Sequence, residues 1–275
     1  MPTGKPFPPT TASGNYVNRK PVAKNRILMK RKVRAFFKQT AKDLAPRLGA
    51  LLGFQKMEDP KRRAKDAVDH LHINWVPLAK DVEEHIAGVA VAGGELSLKE
   101  LGDDFYDRFG DHMRERARAY AEDRAAELVG MKREGEFYVP NPDAKWAIDD
   151  TTREMIKAYV TEAIENGDST DDLADRLADS FAFSDSRAEM IARTETAKAD
   201  SEGAVLGWKA TGQVSGKSWL TAEDDLVSQE CAANEDQGVV PLDYDYGDGV
   251  LAPPQHPNCR CTLLPELMEE MELPE

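Results

Sequence analysis

Cysteine is scarce in this chain: three residues among 275, at positions 231, 259 and 261. An odd, late cluster argues against a secreted scaffold stapled by disulfides and for synthesis in a reducing compartment. Also missing is any run of 18 apolar residues, so neither a membrane-spanning helix nor a membrane partner is expected. The start, MPTGKPFPPTTASGNY, lacks the apolar core of a secretory signal. No internal repeat is found. Acidic residues are nearly absent from the first 65 positions, which hold 17 Lys/Arg and 3 Asp/Glu, a net +14. The remainder holds 19 and 47, a net −28. That split reads as a basic arm joined to an acidic body that DNA repels.

What is present suits a large folded chain. Hydrophobic residues make up 41%, enough for a real core. The Pro-, Thr- and Lys-rich residues 1–24 are expected to be unstructured alone. After them, Ile27, Leu28, Val33, Phe36 and Phe37 alternate with Lys30, Arg31, Lys32, Arg34 and Lys38, a basic amphipathic helix that Pro46, Gly49 and Gly53 break or divide. Together, residues 1–60 read as a basic arm lying outside the compact body.

Residues 61–184 read as a helical domain, a bundle of long antiparallel helices. Leu71, Trp75, Leu78, Val82, Ile86 and Val89 form one helical stripe, with Pro77 marking a kink or restart and AGGELS a stop. Tyr106, Phe109, Met113, Ala117, Tyr120 and Leu128 form a second. EGEFYVPNPDAKW reads as a loop. Thr151 and Glu154 have capping-box spacing ahead of a third stripe, Ile156 to Ile164, which ENGDST ends. DDLADRLADSF follows as a short helix. Residues 185–265 change character: one more helix, with Ser186 and Glu189 at capping-box spacing, then short strands around KSWLTA, GVVPLDYDY and CRCTLLP. Residues 266–275 are an acidic tail. The fold class is therefore mainly α with a small α+β C-terminal unit, the long helical bundle being preceded by an extended basic arm.

The densest chemistry is PPQHPNCRCTLLPE, which gathers His256, Cys259 and Cys261 within six positions. With Cys231 they supply the four N/S ligands of a structural zinc site. Three other readings stand beside it: buried thiols packing beside a turn, a disulfide from Cys231 to Cys259 or Cys261 formed in an oxidising medium, and a Cys-His nucleophile. The last lacks a Gly-rich oxyanion loop. No cofactor is required beyond that zinc. Glu195, on a helix face that otherwise points inward, is expected to form a structural ion pair with Arg260. Asp243, Asp245 and Asp248 read as a solvated turn, since the twelve-residue calcium-loop pattern is absent. The other histidines, His70, His72, His85 and His112, read as surface or bundle positions. Lys24, Arg26, Lys30, Arg31, Lys32 and Arg34 are the candidates for nucleic-acid or partner-protein contact.

The order of these motifs matters more than any one of them. ARTETAKADSEG, SWLTAEDD, a cysteine, GVVPLD and PPQHPNCRCTLLP, in that sequence, resemble the C-terminal region of the phage Mu F-like minor head proteins, the head morphogenesis family. The likeness covers about residues 185–265. One departure is Ser228-x-x-Cys231 where family members often have Cys-x-x-Cys. The resemblance implies a minor virion protein at the portal, assembled in the host cytoplasm, acting in head morphogenesis, DNA packaging or DNA delivery. Its implied partners are the portal protein and capsid or scaffold proteins, with non-specific DNA held by the basic arm. Phe36, Phe37 and Leu28 are then expected to lie against portal subunits. Some relatives carry a toxin domain after this region; none is expected here. The resemblance does not imply an enzyme. The alternative is a zinc- or cysteine-dependent hydrolase of capsid or cell-wall substrates, which needs a metal with an open position and a nearby base. A free DNA-binding regulator needs a helix-turn-helix, and none is visible.

Overall fold

Apolar residues recur every three or four positions after residue 20, and that stripe folds as a single helix, α1 (Lys20–Leu52), with Pro46 inside it. The computed structural model describes residues 20–52, 59–144 and 147–268. The order continues with α2 (Pro60–Asp69), α3 (Val76–Leu101), α4 (Asp103–Leu128), β1 (Met131–Glu134), β2 (Phe137–Pro140), α5 (Ile148–Asn166) and α6 (Thr170–Asp179). A 3-10 turn at Phe181–Phe183 leads into α7 (Asp185–Thr211), β3 (Val214–Leu220), α8 (Gln229–Glu235), β4 (Val239–Val240) and β5 (Thr262–Leu267). The chain is mainly α with a small C-terminal α+β unit.

The expected arm outside the body is corrected for residues 20–52. Val22, Met29, Val33, Phe37, Leu44 and Leu48 are at most 1% exposed, so α1 is a core helix. Its charges face outward and its stripe inward, and the charge count alone concealed the stripe. The portion of the arm at residues 1–19 and most of the acidic tail, 269–275, lie outside the described residues.

Contacts divide the chain into two compact units. One comprises residues 28–84 and 122–192. Here α2 packs on α5, where the Arg153 guanidinium donates to the carbonyls of Val68 (2.9 Å) and Leu71 (2.8 Å) at the end of α2. Trp75 donates its indole N–H to Asp149 (2.7 Å), and Phe36 rests on its ring at 5.2 Å. Phe37 meets Phe183 edge-on. Phe36 and Phe37 are thus already packed within the chain, against the expectation that they lie on another protein. Arg187 is 2% exposed and is held by Thr152 Oγ1 (2.9 Å), Thr151 Oγ1 (2.7 Å) and the Ala182 carbonyl (2.6 Å), with the Phe37 ring beneath it. Thr151 is therefore interior to α5 rather than its cap, and Ser184, accepting from Arg187 N–H (3.1 Å), replaces Ser186 at the start of α7. The expected loop after α4 is a two-stranded antiparallel hairpin, β1–β2. Gly167 ends α5 in the left-handed conformation (φ +73°), as ENGDST implies.

The other unit comprises, of the described residues, 20–27, 85–121 and 193–268. Its helical part is set by small residues. A Cβ on Gly203 of α7 would stand 2.0 Å from the Ala90 carbonyl oxygen of α3, and one on Gly207 would stand 2.0 Å from Ser97 Oγ. Such closeness explains why AGGELS does not stop α3. Gly93 and Gly94 sit where the α7 backbone presses, and a Cβ on either would meet Asp200 or Gly203 backbone atoms within 3 Å. Glycine here permits close approach rather than a turn. Beyond α7 comes the three-stranded antiparallel sheet, ordered β4-β3-β5, with Ser218 opposite Leu264 and Trp219 opposite Leu263.

Candidate functional site

The sheet and the loops around it enclose a small core of Val205, Trp208, Val214, Trp219, Val250, Ala252 and Leu263, together with all three cysteines. Cys231 enters it from the first turn of α8. Ser228 caps that helix by accepting from Cys231 N–H at 3.2 Å, so the serine that stands where relatives often have cysteine works here as an N-cap. Cys259 and Cys261 come from the turn that leads into β5. Cys259 N–H closes the turn on the His256 carbonyl (3.1 Å), and Asn258 adopts φ +62°, a left-handed position asparagine tolerates. The turn is tied to α7 by Asn258 N–H donating to Thr194 Oγ1 (3.2 Å), and to α8 by Asn234 donating to Gln255 (2.9 Å).

Of the expected group of four, Cys231, His256 and Cys259 are brought together. His256 Nε2 lies 3.4 Å from Cys231 Sγ, and Cys231 Sγ lies 3.7 Å from Cys259 Sγ. The ligand atoms of these three residues all lie within 4.8 Å of one another. The Cys261 thiol interacts with both other thiols but stands outside that three-residue group. His256 Nδ1 is 3.0 Å from the Pro257 carbonyl, so Nδ1 carries the proton and Nε2 turns its lone pair to the sulfurs. A pocket bounded by Leu226, Val227, Ser228, Asn258 and Arg260 opens beside them.

Electrostatics separate the thiols. Hydrogen bonds from Cys231 and then Cys261 pull the Cys259 thiol down, while contact with Cys259 pushes Cys231 up and contacts with Cys231 and Cys259 push Cys261 up. Cys231, whose Sγ lies 3.4 Å from His256 Nε2, is 1% exposed and its pKa is pushed up by contact with Cys259, the reverse of an activated nucleophile. A sulfur–sulfur bond needs about 2.05 Å, so at 3.7 Å Cys231 and Cys259 are unbonded.

The expected Glu195–Arg260 ion pair is corrected. Arg260 holds the Asp224 carboxylate with both guanidinium nitrogens, which lowers the Asp224 pKa, and Glu195 is buried on α7 at 4% exposure. An arginine between two inward-facing cysteines points away from the core, toward the loop after β3. Among the basic candidates, Lys30 pairs with Asp185 (3.3 Å) and Glu189 (3.2 Å), Lys32 with Asp81 (2.9 Å), and Arg34 with Asp185 (2.7 Å). Lys24 and Arg31 are exposed and Arg26 is half-buried. Asp245 accepts from Gly247 N–H (2.8 Å) and Gly249 N–H (3.1 Å), which makes it the closure of a turn, as expected. His85 is buried and faces Asn25.

Sequence reasoning passed over Lys217. It lies in β3, fully buried, and its ammonium donates to the carbonyls of Leu242 (2.8 Å), Tyr244 (3.1 Å) and Leu251 (2.5 Å), with the Tyr246 ring 5.4 Å away. Burial brings its pKa down to about 8. The available signal was a lysine between the inward positions Gly216 and Trp219 of a strand, followed by a proline- and glycine-rich loop with carbonyls to spare.

The loops of this small α+β unit are fixed by buried thiols, an imidazole and a caged lysine. Residues 154–264 match the family model described as Phage Mu protein F like protein, so over that segment the chain is similar to this family. The match begins 31 residues before the stretch that the motifs single out, taking in most of α5 as well as α6. No curated protein and no solved structure matches the chain. Among the described residues no helix is long and apolar enough to cross a membrane.

Proposed function

We propose that this protein is a minor structural component of a phage head that acts at the portal during head assembly and in the packaging or delivery of DNA. The observation that carries the proposal is the Mu F-like match across α5 to β5. The burial of all three thiols supports a role without catalysis. The hydrolase alternative needs an exposed thiolate or an open metal position, and all three thiols here are buried. Portal, capsid or scaffold proteins are the partners this role requires. DNA contact through α1 must compete with Asp81, Asp185 and Glu189 for Lys30, Lys32 and Arg34. Lys24 and Arg31 then dominate, and the salt dependence falls to a log–log slope of about −2, near one unit per phosphate contact.

The experiment is to delete the coding sequence from the phage and complement it with an epitope-tagged copy. The proposal expects the tagged chain in purified procapsids, in few copies, co-purifying with the portal, and defective heads without it. A chain absent from particles, or normal heads in the deletion with a hydrolytic activity lost in Cys231→Ser, would overturn it.

A further inference from the structure

We propose that Cys231, His256, Cys259 and Cys261 bind one zinc ion as a closed structural site that holds the loops of the C-terminal unit in place. The site is argued from its own geometry and does not depend on the head-protein role. Zinc bonds of about 2.3 Å to sulfur and about 2.05 Å to nitrogen make a tetrahedron whose S–S edge is about 3.8 Å and S–N edge about 3.5 Å. The corresponding separations here are 3.7 Å for Cys231–Cys259 and 3.4 Å for Cys231–His256. All three ligand atoms lie within 4.8 Å of one another, close enough to share one ion.

Two further observations point to an ion. His256 already has the outer contact that metal-bound histidines use: Nδ1–H donates to the Pro257 carbonyl, which fixes the tautomer and aims Nε2 at the sulfurs. The indole N–H of Trp219, in a side chain 2% exposed, has no hydrogen-bond partner, and the Cys261 sulfur is the group it bears on. A neutral thiol is a poor acceptor. A metal thiolate accepts such a donor well and removes the orphan. Three thiolates and an imidazole are soft ligands that select zinc over magnesium or calcium. Binding releases the thiol protons still present to solvent and leaves the site with a net charge of −1.

Cys261 is the fourth ligand because it lies in the same buried core as the other two thiols, lines the same pocket as they and His256 do, and sits where the turn passes into β5. Its sulfur lies outside the group the other three ligand atoms form, so closing the tetrahedron requires it to move toward them. The ligands come from α8, the turn and the residue before β5. The ion therefore links three segments in a region that has neither helix nor strand from residue 241 to 261.

The test uses the full chain, purified without chelator and without added metal. Metal analysis should give one zinc per chain. Cobalt exchanged into the wild-type protein should give the intense visible bands of a tetrahedral ion and a thiolate charge-transfer band. Cys261→Ser should keep cobalt but weaken the charge-transfer band by about a third, whereas Cys259→Ser should lose the metal. Chelation of the wild type should lower the melting temperature, and that arm decides if the variants fail to fold. Less than a tenth of a zinc per chain with all three thiols quickly alkylated would overturn the site. So would a native Cys231–Cys259 disulfide in mass spectrometry, or an octahedral cobalt spectrum. A charge-transfer band unchanged in Cys261→Ser would remove Cys261 from the ligand set and with it the closed site.

Discussion

The helices of residues 28–84 and 122–192 and the loops that follow β3 solve the same problem by different means. In the first region long apolar stripes do the work: Met29, Val33, Phe37, Leu44 and Leu48 on α1, Ile156 and Val160 on α5, each close to fully buried. Polar groups buried there are few and well met, as Arg187 is by two threonine hydroxyls and a carbonyl. After β3 the elements are short. The strands run seven, two and six residues and α8 seven. Three of the ten buried residues of that core are cysteines, and the loop before β5 hangs on a lysine that reaches three carbonyls. Continuous stripes make stability a sum of many small terms, while a loop-rich unit concentrates it in a few directional contacts. Single substitutions should therefore act differently in the two.

The largest expected effect that sharpens this contrast is, unexpectedly, in the helical region, at its one concentrated contact. Arg187→Ala should lower unfolding free energy by about 4 kcal/mol, since it leaves a cavity and strands the acceptors of Thr151, Thr152 and Ala182. The urea midpoint by circular dichroism measures it. Gly203→Ala comes next, at about 2–3 kcal/mol, because its Cβ meets a backbone oxygen that cannot rotate away. A melting temperature within a degree of wild type would show that α3 and α7 are looser than described.

Lys217→Met should cost about 2 kcal/mol by leaving three carbonyls without their donor. It also carries a pH signature. Burial holds the folded-state pKa at about 8, below the ordinary 10.5, so the unfolded chain binds this proton more tightly. Stability contributed by this group accordingly rises as pH increases from about 8 to 10.5, and is flat below that window. Wild type should gain on Lys217→Met across it in paired urea melts at pH 7.5 and pH 10. The smallest effect belongs to Asp224→Asn. The Arg260–Asp224 pair is exposed, and solvent screening should leave the melting temperature unchanged within error.

The sequence made the helical stripes legible because a period near 3.6 is a local signal, and the cysteine–histidine cluster legible because those residue types are rare in this chain. What it hid depended on neighbours distant along the chain. AGGELS reads as a stop until α7 is seen against Gly93 and Gly94. Pro46 reads as a break until its helix is seen to run on to Leu52. The basic segment reads as an arm until Asp81, Asp185 and Glu189, far along the chain, are seen beside its charges. Arg260 was correctly expected to pair, but Asp224 was chosen by the loop after β3, whose path no local pattern encodes. Lys217 and Arg187 were missed for the same reason: their partners are neutral oxygens, which leave no trace in a search for opposite charge.

Amide hydrogen exchange on the full chain, wild type against Lys217→Met, tests the contrast most directly. The account predicts that protection is lost in one block, residues 239–251, while peptides from α2 and α5 exchange as in wild type. Loss spread evenly across both regions, or no loss around residues 239–251, would contradict the claim that this unit is held by a few directional contacts.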